Sequence, residues 1–591
     1  MGILHRPFKT FNHFPNRQGI IKRSVLGQGI FRRFAGLTIT HEPNATRNNL
    51  FCYTSGRWLY DEHSQLSRRY VEFNVQALQA HASRVLGTKC IGITKLPEGL
   101  YNKALSLEME GGGEVLARIP NPNAGHPELV VSNEVATLDF LRNMLDISVP
   151  KVLAWSSPSS ESNPVGAAYI LMERVNGRQL SEVWATLSEK QRFGLVKSLV
   201  EIERKLVNTI FTGIGSLYYK YACPNSYDAV DKTQLPILKQ EAVSRFVIGQ
   251  TTERSFCADE RQEQGVRGPC TCFHDAAFWL LLDICYSFIG NRALTLFVGR
   301  TAEEYLTAVA RREISLIQKS ATHRPQDVPA AVRRTQGAIN NHIELLEKFI
   351  TLLPYILPTG EATRPTLMHH DLHLDNIFVD SADPTKISSI IDWQAVYTAP
   401  LFLQARFPSV FDCDDPYPWG AVQPELPDDF DNLSPMEKEL AGEAHDRLRL
   451  KKFYELASRK FNPLLMKAMD AMQNDDDPTS YIFYLVGQSS SDGLVPLREL
   501  LVQIYEKWDH IAKRKGLTTQ CPISFTEEEI REGRRQGEEW AVAFNEYENL
   551  RAQLLGKDGW VSNEEYDEAM QIYQSHKDDL EALRRRLEQL S

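Results

Sequence analysis

Two short stretches carry the residue types with the most chemistry in this chain. They are His369-His370-Asp371-Leu372-His373-Leu374-Asp375-Asn376 and, further on, Ile390-Ile391-Asp392-Trp393. Together they read H-x-D-x-x-x-x-N plus a second aspartate, the residue set that phosphoryl transfer uses for a base and two metal ligands. A carboxylate such as Asp371 can accept the proton of an attacking hydroxyl. Two oxygen ligands, Asn376 and Asp392, suit Mg²⁺, which keeps waters and takes its other ligands from nucleotide phosphates.

Those three residues must be brought together by the elements around them. Asn376 opens an apolar run, Ile377-Phe378-Val379, and Ser381-Ala382-Asp383-Pro384-Thr385 has turn composition. Lys386 to Ile391 is a second β-rich run. If the two runs pair as a hairpin, the start of the first lies beside the end of the second. Asn376 and Asp392 then meet at one end, with Asp371 on the loop just before. Two other readings of the same residues are a hairpin bearing solvated turn acids and a metal site built from His369, His370 and His373. Structural zinc sites usually show tighter ligand pairs, and no cysteine lies nearby.

Upstream, Cys90 to Lys95, Ala104 to Glu110 and Glu114 to Ile119 alternate as strands do. Gly111-Gly112-Gly113 reads as a hairpin turn, since a Walker loop must open a helix. Pro97-Glu98-Gly99-Leu100-Tyr101-Asn102-Lys103 is the phosphate-facing candidate. Gly99 would allow close backbone approach, and Asn102 would donate to phosphate oxygens. Arg118 lies on the third strand. A helix is predicted from about Ser132, and Glu134 rides beside its apolar stripe. A strand cation paired with a helix carboxylate would hold the α- and β-phosphates; a surface salt bridge is the plainer reading. Ala168 to Val175 reads as a buried strand entering the Asn176-Gly177 turn. Met172, Glu173 and Val175 are the candidates for backbone contact with an adenine ring.

The 591 residues are too many for one core. A formal net charge of −10 argues against nucleic acid as the main partner. Nine scattered cysteines point to a reducing compartment rather than a disulfide framework. Cys270-Thr271-Cys272-Phe273-His274 lacks a second ligand pair and reads as loop cysteines. Residues 1–41 contain no Asp or Glu, while Arg6, Lys9, Arg17, Lys22, Arg23, Arg32 and Arg33 alternate with apolar residues. That is the signature of a mitochondrial presequence, with a disordered basic arm as the alternative. The apolar run at 276–299 is too short and too interrupted for a membrane span. Its composition fits neither neighbour, which suggests an insertion at 272–300 and even a retained intron. The tail from about 416 is predicted helical. Capping boxes stand at Thr526/Glu529 and Ser562/Glu565, and Trp540, Phe544, Tyr547, Leu550 and Leu554 form an apolar stripe. The tail is expected to pack on the large lobe, or to serve as a partner-binding helix.

Taken together, these residues resemble the aminoglycoside phosphotransferase and choline kinase-like family. Its usual pattern is H-G-D-x-H-x-x-N followed by I-D-W. Here His370 replaces the glycine, and Leu374-Asp375 replaces the usual Pro-Gly. A narrower likeness is to a fungal mitochondrial group. It is carried by Tyr53 to Tyr60, His370 to Val379 and Ala399 to Arg406. The resemblance implies an α+β, two-lobed protein kinase-like fold with a helical C-terminal extension. Its expected parts are a presequence and arm at 1–47, a small nucleotide-binding lobe at 48–177, a large catalytic lobe at 178–415 and the extension at 416–591. It implies ATP and Mg²⁺ as cofactors and an unidentified small-molecule hydroxyl as acceptor. By the same likeness Asp371 is the base, Asn376 and Asp392 bind Mg²⁺, and Arg118 stands where a phosphate-binding lysine is usual, paired with Glu134. Arginine presents a planar fork where lysine presents a point charge, so a scaffold that binds nucleotide or a partner without turnover is the alternative.

Overall fold

The computed structural model describes residues 37–38, 49–157, 163–223, 226–257, 299–322, 336–413, 417–473, 477–556 and 558–590. The presequence, the Cys270–His274 stretch and nearly all of the expected insertion lie outside these residues.

Sixteen strands are named among the described residues. A six-stranded sheet takes the order β1-β3-β4-β5-β7-β6, from Leu37–Thr38 (β1), Cys90–Lys95 (β3), Asn102–Met109 (β4), Glu114–Pro120 (β5), Val152–Ser156 (β6) and Tyr169–Glu173 (β7). β2, Arg57–Trp58, belongs to a separate two-stranded sheet. Period-two alternation decides the two faces. Leu105, Leu107 and Met109 of β4 line up with Val115, Ala117 and Ile119 of β5. This face is covered by Leu50, Phe51 and Phe73 of the N-terminal segment and by Leu78 of helix α1, Val75–Leu86. Leu116 and Arg118 fall on the other face, with Arg118 opposite Ile170 in the register. That face meets helix α2, Pro127–Asn143, which begins a turn earlier than expected because Pro127 suits the first helical position. The triple glycine is the β4–β5 turn, with Gly111 and Gly112 at φ of 95° and 87°.

The chain leaves the sheet through Asn176-Gly177 and enters β8, Arg178–Gln179, which pairs with β13, Ile377–Val379. A Cβ at Gly177 would collide with the Val379 carbonyl, and its φ of 117° is open to glycine. β9 (Ser216–Tyr219), β10 (Tyr227–Asp228) and β11 (Phe246–Gly249) form a small antiparallel sheet. β12 (Pro365–Leu367) pairs with β15 (Thr398–Pro400), and β13 pairs with β14, Ile387–Ile390. Around them pack α3 (Glu189–Asn208), α4 (Ala302–Thr322), α5 (Gln336–Ile356), α6 (Pro435–Phe461) and α7 (Leu494–Glu506). One buried cluster runs from Val131 of α2 to Trp540, so the helices up to that point share the large lobe's core.

The last two helices, α8 (Glu527–Leu555) and α9 (Tyr566–Leu590), do something else. The tail was expected on the large lobe, and Trp540 does pack there. Leu555 and Leu580 instead bury Leu59 of the N-terminal cover, with Tyr547, Leu550 and Leu554 alongside. Between the helices, β16 (Trp560–Val561) pairs with β2. Trp560 Nε1 donates to the Tyr53 hydroxyl at 3.0 Å, and Asn563 Nδ2 donates to the Thr54 carbonyl at 3.1 Å. The hairpin of helices therefore straps the cover of the small lobe.

Candidate active site

The predicted hairpin forms. Ile377 pairs with Ile390, and the Ile391 N–H donates to the Asn376 carbonyl at 2.9 Å, so Asn376 and Asp392 share one end. Asn376 is buried, and its Nδ2 donates to the Asp371 carbonyl at 2.8 Å. That bond ties the 369–375 loop to the hairpin through the Asn376 amide nitrogen. Asp392 sits at φ 64°, a left-handed backbone that aspartate tolerates better than most residues. Such conformations cluster at functional sites.

The loop itself is held from behind. His369 is buried; the Asp371 N–H donates to its Nδ1 at 3.2 Å, and its Nε2 lies 2.9 Å from the Ile391 carbonyl. Burial lowers its pKa, so it acts as a neutral spacer. His370 is pushed down to about 3 by burial and faces the Gln404 amide oxygen at 2.9 Å. His373 is the exception. Its Nε2 is 3.5 Å from Asp371 Oδ2 and its Nδ1 is 3.3 Å from Asp375 Oδ2. Burial would lower this imidazole, but hydrogen bonds and charge from the two aspartates carry it to about 10. The three histidines thus have separate partners and do not converge on a metal. Among the described residues no group of three His, Cys, Asp or Glu could hold one. Asn376 and Asp392 supply two hard oxygens, which fits Mg²⁺ completed by phosphates and water.

Arg118 pairs with Glu134 as predicted, Nη1 to Oε1 at 2.6 Å. Its Nη2 also pairs with Asp392. Burial would lower the guanidinium, but Asp392 and then Glu134 outweigh it and hold it above the ordinary value. Burial raises Glu134 to about 7 against the pull of Arg118. Asp392 is held below the usual carboxylate range, because Arg118 overcomes its burial. The double pairing means that a cation bound at Asp392 must compete with Arg118.

The remaining predicted residues divide. Asn102 stands at the site, and its amide exchanges two 2.8 Å hydrogen bonds with Gln394. Gly99 is exposed, and a Cβ there would meet nothing within 4 Å, so the fold itself makes no demand for glycine. Glu98 beside it is buried between Lys95 and Lys103, at 3.0 and 3.6 Å. Both lysines also donate to the Cys52 carbonyl, and Ser55 Oγ accepts from the Glu98 N–H at 2.9 Å. Burial lowers Lys103 to about 8. The phosphate-facing loop is therefore anchored to the strapped N-terminal cover. Met172 is buried on β7 opposite Leu116, and Val175 is half-buried in the turn that follows. The Glu173 carboxylate accepts from Arg142 and the Lys151 N–H, both at 2.9 Å, and its own backbone N–H donates to the Lys151 carbonyl at 2.9 Å. Sequence reasoning missed Gln394 and the Lys95–Glu98–Lys103 group. Gln394 was within reach, lying two residues after Asp392; the lysines were not, since nothing local marks them as buried.

A model of the phosphotransferase enzyme family matches residues 92–216 and 303–402. A subtelomeric hrmA-associated cluster protein of Aspergillus fumigatus is 33% identical over 474 residues, covering 79% of this chain and 87% of that one. The chain belongs to this phosphotransferase family. It is also similar to the mitochondrial protein called altered inheritance of mitochondria protein 9. The Zygosaccharomyces rouxii form is 24% identical, covering 83% of this chain and 84% of that one. The Aspergillus protein thus has the higher identity of the two. Among solved structures, ADP-bound aminoglycoside phosphotransferase APH(2'')-Ib is 12% identical with a TM-score of 0.34, covering 73% of this chain and 97% of that one. The mitochondrial placement expected from the acid-free N-terminus agrees with the name of the Zygosaccharomyces relative.

Proposed function

We propose that this protein is an ATP- and Mg²⁺-dependent phosphotransferase that moves the γ-phosphoryl group to a hydroxyl of a small molecule in mitochondria. One observation carries the reading: the β13–β14 hairpin and the Asn376–Asp371 hydrogen bond gather Asp371, Asn376 and Asp392 at one end. Asp371 takes the hydroxyl proton as the acceptor oxygen bonds to the γ-phosphorus. The bond to the β,γ-bridging oxygen breaks, and ADP leaves with the electron pair. Asn376 and Asp392 would hold Mg²⁺, which neutralises phosphate charge when bound. The other residues position: Arg118 and Glu134 on the phosphates, Met172, Glu173 and Val175 by their backbone on adenine, Gly99 and Asn102 beside the phosphate loop. Catalysis of this kind rests on positioning and charge neutralisation more than on covalent help.

A second reading has its own support. Arg118 already occupies Asp392, which suits a scaffold that binds a partner or nucleotide without turnover. Incubating the protein with γ-labelled ATP, Mg²⁺ and a mitochondrial metabolite extract separates the two. Label should enter a small molecule with wild type and not with Asp371→Asn. Label in neither, with full rescue of a deletion strain by Asp371→Asn, would select the scaffold.

A further inference from the structure

Arg118 pairs with both Glu134 and Asp392, so a second cation beside it would add to the charge that meets the terminal phosphate. Arg254 lies in the same place and is uncommitted. It follows β11, in the segment Thr251-Thr252-Glu253-Arg254. Thr251 and Thr252 are buried. The Thr252 hydroxyl meets the Ser216 hydroxyl at 2.8 Å and donates to Asn133 Oδ1 at 3.2 Å. Asn133 is the neighbour of Glu134 on α2, so this segment is anchored one residue from the Arg118 partner. Glu253 accepts from the Tyr305 hydroxyl at 2.9 Å, and Phe256 is buried under the Arg312 guanidinium at 4.3 Å. Both sides of Arg254 are therefore fixed. Its own side chain is exposed and makes no ion pair among the described residues. It lies instead 3.5 Å from the centre of the Tyr101 ring, on the phosphate-facing loop next to Asn102. Its charge is felt at Glu134, Asp392 and His370.

We propose that Arg254 is a phosphate-binding residue of the nucleotide site, held ready on the Tyr101 ring and turned to the terminal phosphate of a nucleoside triphosphate. The proposal rests on the phosphotransferase reading above and adds a second arginine to it. A guanidinium fork matches phosphate oxygens in a bidentate way, and an aromatic face holds it without neutralising it. An arginine that served only to staple the segment to the loop would affect every nucleotide alike. A residue that reads the terminal phosphate distinguishes triphosphate from diphosphate.

The test is calorimetric titration of the full chain with Mg²⁺ and either a non-hydrolysable ATP analogue or ADP, for wild type, Arg254→Ala and Arg254→Lys. The alanine variant should lose roughly tenfold or more in affinity for the triphosphate, the scale of a lost charge-assisted hydrogen bond. Its ADP affinity should change less than twofold, and lysine should restore part of the loss. Melting curves of the ligand-free variants report whether they are folded. An equal loss for both nucleotides, or no loss, would overturn the proposal. Wild type that binds neither nucleotide would overturn the nucleotide reading and this proposal with it.

Discussion

At the residue scale, the site separates groups that react from groups that hold them. Asp371 is exposed, while His369 and Asn376 behind it are buried and hydrogen-bonded to its backbone. Asp371→Asn should therefore lower turnover by about 10²–10⁴-fold, the range for losing a general base, with little change in melting temperature. Steady-state kinetics beside a thermal melt checks both halves. A second prediction concerns Glu203 on α3, which lines a cavity together with His369, His370 and Leu372. It is buried, accepts from the Tyr454 hydroxyl at 2.7 Å, and burial raises its carboxyl to about 8 from 4.5. The folded state then holds a proton that the unfolded state has released between those two values. Stability must fall as pH rises through that window. Glu203→Gln keeps an acceptor for Tyr454 and removes the proton. Melts from pH 5 to 8.5 should show the variant gaining on wild type as pH rises; parallel curves would refute it. Asp371, Asn376, Asp392, Arg118 and Glu134 were legible because their types and spacing lie within short stretches. Arg254 reaches the Tyr101 ring through tertiary packing and has no such spacing, whereas Gln394, two residues after Asp392, was within reach.

At the element scale, the hairpin was readable from two apolar runs around a turn, and the β3–β5 meander from alternation and a triple glycine. The α8–α9 strap was only half readable. Its periodicity announced helices with an apolar stripe, yet periodicity does not say which surface the stripe meets. Trp540 and Phe544 meet the large-lobe core, while Tyr547, Leu550 and Leu554 meet Leu59 beside the strand pair β2–β16, contacts made across most of the chain. Two close approaches hold this join. A Cβ on Gly56 would come within 2.5 Å of Trp560 and of the Val561 carbonyl. The Trp560 indole also donates to Tyr53. Trp560 is 36% exposed, so Trp560→Ala should cost about 1 kcal/mol of stability, the scale of the lost hydrogen bond to Tyr53. It should also weaken ATP binding, because the cover it fastens is bonded to Glu98 of the phosphate loop. Gly56→Ala should act in the same direction. Unaltered ATP affinity in a destabilised Trp560→Ala protein would show that the strap is structural only.

At the scale of the whole molecule, the two lobes, the hinge at Gly177 and the helical C-terminal region follow the α+β plan implied by the family resemblance. The buried core runs across residue 416, where the helical extension is expected to begin. Helices beyond it contribute Tyr454, Leu497 and Trp508 to the same core as Phe140 and Leu199. Composition reports polarity along the chain, and a shared core forms between segments far apart in it, so that continuity was not legible. No helix among the described residues is long and apolar enough to cross a membrane. Asp392, now paired with Arg118, is expected to give up that pairing to a metal–nucleotide complex. The measurement that tests it is a thermal shift of the purified protein with ATP, with and without Mg²⁺, for wild type and Asp392→Ala. Ligand at about a hundred times its Kd should stabilise wild type by roughly 2.7 kcal/mol. The expected result is a rise that needs Mg²⁺ and vanishes in Asp392→Ala; a folded wild type that shows no shift at millimolar ATP and Mg²⁺ would rule the exchange out.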